Sequence, residues 1–235
     1  MCLTPMSQEW RGWAAGAVAL VVAACSGEAS PTQPAARTFA RVSAGFEHTC
    51  GVTSGGAAYC WGYNLYGQLG DGATTDRSSP ALVAGSVSFA AVSAGDIHTC
   101  GVTSGGAAYC WGLNYYGQLG DGTTTNRSSP VLVAGGVSFA AVSAGGTHTC
   151  GVTAGGAASC WGANSYGQLG DGTTTNRSSP VSVAGGVSFA AASAGDLHTC
   201  GVTTGGAAYC WGYNGYGQLG DGTTTDRSSP VLVVQ

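Results

Sequence analysis

The seven residues Phe39-Ala40-Arg41-Val42-Ser43-Ala44-Gly45 come back at Phe89, Phe139 and Phe189 almost unchanged, at a spacing of 50 residues and with no insertion. Self-similarity at a fixed period marks a chain built from one supersecondary unit that buries its apolar face against its own neighbours. A period of about 40–50 residues, with short apolar runs and glycine-rich turns, suits a propeller blade of about four strands. Four such units, at about 39–88, 89–138, 139–188 and 189–235, fill everything after the N-terminal segment. The 42 glycines serve tight turns, with no collagen-like triplet among them. The expected fold is all-β: a β-propeller-type repeat of four-stranded blades, one blade per 50-residue unit.

Within one unit the strands are expected at 40–44, 49–53, 57–62 and 80–84. Ser54-Gly55-Gly56 reads as a three-residue hairpin loop, with glycine where a positive φ is needed. Pairing Thr53 with Ala57 across it sets Val52 opposite Ala58, Gly51 opposite Tyr59 and Cys50 opposite Cys60. Tyr59 would then cover the bare backbone of Gly51. Strand alternation puts Tyr59 and Trp61 on one face, and Cys50, Cys60 and Val52 on the other. Stacked blades should bring the tryptophan face of one against the cysteine face of its neighbour.

The N-terminus is of a different kind. Residues 14–24 (AAGAVALVVAA) form an eleven-residue apolar stretch, short of the roughly 20 that a membrane span needs and the right size for the core of a signal peptide. Val22-Ala23-Ala24-Cys25 resembles the lipobox of bacterial lipoproteins, which implies cleavage before Cys25 and a diacylglycerol on its sulfur; a plain secretory signal is the alternative. Residues 1–24 are thus expected to be a signal peptide. Residues 25–38, rich in Ser, Pro and Ala, are expected to be a lipidated cysteine and a flexible tether.

The motifs YCWGYNLYGQLGDG and VSAGFEHTCGVT, which return with few changes in the other three units, closely resemble the regulator of chromosome condensation repeat. That family carries a Trp-Gly, a Gly-Gln-Leu-Gly and an Ala-Gly-x-x-His in each blade. The resemblance implies a propeller of four-stranded blades. Complete propellers of the family have seven, so four units imply an open arc or incomplete ring, a tighter four-blade ring, or a pairing of two chains. The cysteine pairs resemble exported bacterial members of the family.

Each unit holds a His–Cys–Cys set, His48, Cys50 and Cys60 in the first. Directly opposed residues of an antiparallel pair have Cα atoms about 4.5–5.5 Å apart, within disulfide reach, and an export signal supplies an oxidising compartment. The expected disulfides are Cys50–Cys60, Cys100–Cys110, Cys150–Cys160 and Cys200–Cys210. Zinc is the rival reading, but no fourth ligand has fixed spacing. A catalytic thiol would need a poised base, and four equal copies argue against one active centre. His48 then reads as structural, fixing a loop. Asp71-Gly72-Ala73-Thr74-Thr75-Asp76 is oxygen-rich but lacks the alternating acids of a calcium loop, and reads as a turn closed by an Asp or Asn cap. The repeated Arg77, Arg127, Arg177 and Arg227 read as structural donors.

Only 8% of residues are charged, against about 25% in ordinary domains, and the net charge is −4. No nucleic-acid footprint is present. The units differ mainly at loop positions: Phe46-Glu47 becomes Asp96-Ile97, Gly146-Thr147 and Asp196-Leu197, while Tyr63 and Leu65 become Leu113 and Tyr115, Ala163 and Ser165, Tyr213 and Gly215. Repeat proteins commonly bind through one such loop face. Phe46, Glu47, Tyr63, Leu65, Asp96, Ile97, Leu113, Tyr115, Thr147, Asp196, Leu197 and Tyr213 are the expected partner-binding positions. Neutral variation of exposed loops explains the same differences. The expected role is a non-enzymatic protein-binding or scaffold repeat protein at the bacterial cell envelope or surface, lipid-anchored through Cys25. Its partner is a protein, with no cofactor, metal or nucleic acid. The alternatives are a guanine-nucleotide exchange-type regulator, as in the family's eukaryotic namesake, and a secreted enzyme inhibitor or polymer-acting enzyme.

Overall fold

The computed structural model describes residues 37–234. The apolar stretch 14–24 and Cys25 lie outside the described residues. Four antiparallel sheets of four strands follow one another. The first holds β1 Arg41–Ala44, β2 His48–Val52, β3 Ala58–Gly62 and β4 Arg77–Leu82. The second holds β5 Phe89–Ala94, β6 His98–Thr103, β7 Ala108–Gly112 and β8 Arg127–Leu132. The third holds β9 Ala141–Ala144, β10 His148–Val152, β11 Ala158–Gly162 and β12 Arg177–Ser182. The fourth holds β13 Ala191–Ala194, β14 His198–Val202, β15 Ala208–Gly212 and β16 Arg227–Leu232. Each sheet pairs its strands in chain order, so every connection within a sheet is a hairpin or a longer antiparallel return. The sheets stack as the blades of an incomplete propeller.

The central hairpin has the register that its loop chemistry predicts. Cys50 faces Cys60, Gly51 faces Tyr59 and Val52 faces Ala58, and Thr53 accepts from Gly56 and donates to Ala57 through the backbone. Two details differ. The fourth strand starts at Arg77 rather than residue 80, because an irregularity between Cys60 and Gly62 lets Arg77 pair with Gly62. Pro80 therefore lies inside the strand, tolerated because β4 is the edge of its sheet. The ring nearest Gly51 is that of Phe39: a Cβ on Gly51 would lie 2.7 Å from it. The ring sits beside Trp61, 5.6 Å between centroids. A side chain at position 51 would displace the aromatic that starts the unit.

The core is not inside the sheets but between them. Cys50, Val52, Ala58 and Cys60 of the first sheet pack with Phe89 and Trp111 of the second. The same set recurs between the second and third sheets and between the third and fourth. The cysteine face of each unit thus meets the tryptophan face of the unit that follows it. Trp111, Trp161 and Trp211 are fully buried, lying over Gly70, Gly120 and Gly170 of the preceding unit. These glycines have φ near +70°, and a Cβ on them would come within 2.6–2.7 Å of the indole Nε1. Backbone conformation and close approach together select glycine there.

A polar seam runs beside this apolar contact. His48 Nε2 lies 2.7 Å from Thr99 Oγ1, and that hydroxyl donates to the Gln68 carbonyl. The threonine spends its only proton on the carbonyl, so the histidine must donate from Nε2. His98, Thr149 and Gln118 repeat the chain of bonds, as do His148, Thr199 and Gln168. His48 therefore joins two blades rather than fixing its own loop. Further bonds cross each seam. Ala94 N donates to Ser43 Oγ, Phe46 N to the Gly95 carbonyl and Gly72 N to the Ser128 carbonyl, each repeated at the next two seams.

Candidate partner-binding rim

The β1–β2 turn and the β3–β4 connection emerge at the same end of each blade, a consequence of up-and-down pairing. They are tied by one backbone bond per unit: Tyr63 N to Glu47 O, Leu113 N to Ile97 O, Ala163 N to Thr147 O and Tyr213 N to Leu197 O. The two sets of varying positions therefore lie side by side on one rim. Phe46, Glu47, Leu65, Tyr115 and Asp196 are exposed there. Tyr63, Asp96, Ile97, Leu113, Thr147, Leu197 and Tyr213 are half-buried.

The long connection is rigid because one buried side chain organises it. Asn64 accepts from Leu69 N at Oδ1, while its Nδ2 is shared among Asp71 Oδ1, Ala73 O and Thr75 O. Its own N–H donates to Asp76 Oδ1, and in the second and third units Asn126 and Asn176 take that role with the same 2.8 Å bond. Asp71 turns its other oxygen to Arg77, at 2.8 Å. The hydrogen bonds and the guanidinium outweigh the effect of burial, and the carboxyl sits below its usual range. The acidic oxygens of this loop are thus spent on its own backbone and on the arginine. Asn114→Ala is expected to cost about 2–4 kcal/mol, since several buried partners lose their bonds at once; urea denaturation measures it, and an unchanged midpoint would remove the organising role from this amide.

The rim also carries residues that vary in no unit. Tyr116, Tyr166 and Tyr216 are exposed and Tyr66 half-buried, and they form edge-to-face pairs with the varying tyrosines. Tyr115 meets Tyr116 at 4.9 Å, Tyr166 meets Tyr213 of the next blade at 5.0 Å, and Tyr63 meets Tyr66 at 6.3 Å. Comparison between units passes over an invariant tyrosine; the sequence signal was a large aromatic beside Gly-Gln-Leu-Gly, in a loop with no core to fill. Nearer the first strands, the turns line a funnel of about 330 Å³ with Gly45, Gly95, Gly145 and Gly195, beside Phe46, Asp96 and Asp196. Burial and the facing Asp196 push the Asp96 carboxyl up. The rim is therefore aromatic, with the carboxyls of Asp96 and Asp196 near its centre.

The cysteines are elsewhere. Cys50–Cys60, Cys100–Cys110, Cys150–Cys160 and Cys200–Cys210 are disulfides with Cα separations of 4.0–4.1 Å, the close type of antiparallel pair. Sulfurs bonded to one another are neither thiolate ligands nor nucleophiles. Four such bonds indicate an oxidising compartment for the folded body.

Stacked four-stranded blades with a tryptophan–glycine seam define a β-propeller-type repeat protein. The regulator of chromosome condensation (RCC1) repeat profile matches residues 55–102, 105–152, 156–202 and 205–235, and a second profile of the same repeat matches 39–68, 89–118 and 139–168. The chain belongs to this family. It is similar to the human protein WBSCR16, with a TM-score of 0.77 and 25% identity over 84% of this chain and 53% of that one. It also resembles Prp20p of Saccharomyces cerevisiae, whose structure was described with its binding properties to Gsp1p and histones. There the TM-score is 0.73, with 20% identity over 86% of this chain and 52% of that one. A stretch of 43 residues, 18% of this chain and 10% of the relative, is 44% identical to the ultraviolet-B receptor UVR8 of Arabidopsis thaliana. The chain spans about half the length of the solved structures it matches.

Proposed function

We propose that the rim binds a protein partner, and that the chain is a non-enzymatic binding or scaffold protein of the bacterial cell envelope, tethered through Cys25. One observation carries the reading: exposed Phe46, Leu65, Tyr115 and Tyr216 stand on a single rim whose backbone is pinned unit by unit. Rigid aromatic side chains on a preformed surface are the composition of binding hot spots, and ordering them costs little on association. Replacing Phe46, Ile97, Tyr115 and Leu197 together by serine is expected to abolish capture of the partner that the unaltered chain retains from envelope extract. Undiminished capture by the variant would sink the rim reading. Cys25→Ser is expected to move the chain from the membrane to the soluble fraction, and no change in fractionation would remove the anchor.

Nucleotide-exchange regulation is the reading suggested by Prp20p and its binding to Gsp1p. It requires a cytoplasmic partner, whereas four disulfides favour a compartment outside the reducing cytoplasm.

A further inference from the structure

The chain holds six asparagines, and they fall into two kinds. Asn64, Asn114, Asn164 and Asn214 are fully buried, and their Nδ2 atoms donate inside the long connections. Asn126 and Asn176 are exposed, in irregular backbone just before β8 and β12. Each offers only Oδ1 to the fold, accepting from Asn114 N and Asn164 N respectively at 2.8 Å. Among the described residues neither of their Nδ2 atoms has a hydrogen-bond partner. Both residues open an Asn-Arg-Ser triplet, Asn126-Arg127-Ser128 and Asn176-Arg177-Ser178.

Asn-x-Ser, with x other than proline, is the acceptor triplet for N-linked glycans on exported chains. Such a triplet also arises without a role, and here Arg-Ser recurs in all four units. The exchange of Asp for Asn is what singles out the second and third. The loop does not require that exchange: Asp76 and Asp226 hold the equivalent N–H with a carboxylate oxygen, at 2.8 and 2.7 Å. The amide nitrogen of Asn126 and Asn176 is therefore surplus to the cap. It is also the one atom that a glycan would bond, so the modified residue keeps its contact to Asn114 or Asn164. The four buried asparagines have Nδ2 bonded and enclosed, and none of them opens such a triplet.

We propose that Asn126 and Asn176 carry N-linked glycans added outside the cytoplasm, a proposal that rests on the oxidising compartment indicated by the disulfides. The donor class is a lipid-diphosphate-linked sugar. A bond forms between Nδ2 and the anomeric carbon, and the bond from that carbon to the diphosphate oxygen breaks. The lipid diphosphate leaves, and Nδ2 gives up one proton. The third residue of the triplet sets the timing. Ser128 is half-buried, its carbonyl accepts from Gly72 N of the preceding unit, and a Cβ on Gly67 would come 2.6 Å from its Cα. Ser178 sits in the same way against Gly122 and Gly117. A transferase that reads this serine reaches it before the blades stack. The glycan is thus placed on the emerging chain, and the folded body accommodates it because Nδ2 stays in solvent.

Asn126→Asp and Asn176→Asp remove the acceptor nitrogen and keep the cap that Asp76 and Asp226 already form, so both should leave the urea midpoint unchanged. The full chain is isolated from its native envelope and weighed by mass spectrometry, intact and as peptides, with any lipid mass subtracted. The unaltered chain is expected to exceed its sequence mass by two equal glycan increments. Each Asp variant should lose one of them, and the double variant both. Ser128→Ala should lose the increment at Asn126 although that amide is intact. Peptides holding Asn126 and Asn176 only in unmodified form, a glycan that persists in the double variant, or one that persists at Asn126 in Ser128→Ala would each overturn the proposal. The same spectra count the disulfides. A glycan-free chain with all four formed leaves the exported location standing, and one with free repeat thiols removes that location as well.

Discussion

Reducing the four disulfides is expected to unfold the repeat body at room temperature. Each bond joins residues ten apart in sequence, and closing so short a loop removes roughly 2–3 kcal/mol worth of freedom from the unfolded chain. Four independent closures come to about 8–12 kcal/mol, comparable to the whole net stability of an ordinary domain, about 5–15 kcal/mol. The sulfurs sit in the middle of each core, among valine, alanine, one leucine, one phenylalanine and one indole per seam. Urea unfolding followed by tryptophan fluorescence, with oxidised and with reduced and alkylated protein, measures the difference. A midpoint that does not move would show that the stacking alone sustains the fold. Loss of one pair, as in Cys100→Ala with Cys110→Ala, should remove about a quarter of the effect. Cys200–Cys210 is expected to be reduced first in the single chain, because Cys200 is half-exposed where Cys50, Cys100 and Cys150 are buried.

Mild acid should be the second large effect. Burial pushes His98 and His148 down to about 3 and His48 to about 4, with neighbouring histidines adding to the effect at His98 and His148. The geometry explains why. Nε2 already carries its proton for the threonine, and Nδ1 is buried without an acceptor, so a second proton has no partner. In the unfolded chain these rings titrate near 6.5. The unfolded state therefore takes up protons first as the pH falls. The stability these rings confer is complete above about pH 6.5, declines through the interval below it, and is gone once the pH passes the folded values. The slope is about 1.4 kcal/mol per pH unit for each histidine. The carboxyls of Asp71, Asp121, Asp171 and Asp221, all held below their usual value, add a loss of the same sign at lower pH still. Thermal unfolding across pH 7.5 to 4 is expected to show a steep fall in Tm starting near pH 6. A flat profile to pH 4.5 would contradict the neutral, buried state of the rings.

Much of the blade could be read from the residues because its determinants are local. Ser54-Gly55-Gly56 fixes a loop of known length, and the register of Cys50 on Cys60 follows from it by counting. The alternation of tryptophan and cysteine faces then follows from the pleat. What escaped notice depends on neighbours in space. Phe39 precedes its own strand, and nothing in the hairpin sequence says that its ring returns to Gly51. Arg77 joins the fourth strand early because of an irregularity opposite it, which hydrophobic alternation does not mark. The partner of His48 is Thr99, in the next unit; both residues recur every 50 positions, but recurrence shows that they matter and not that they meet. On the rim, variation between units pointed to Phe46, Leu65 and Tyr115, while the equally accessible Tyr216 was hidden by being the same in every copy.

The sameness of the seams has a consequence for how such a chain changes over generations. Since each interface is formed by the same residues, duplication or loss of one whole unit creates no new contact to be optimised. The added blade finds a fitting surface on both sides at once, and the two outward faces stay what they were. Length is then open to change in steps of one blade by a single recombination event, while the interior of the blade is held nearly fixed. The rim is the part left to diverge, so a lineage of this kind can try new binding surfaces by copying a scaffold it already has.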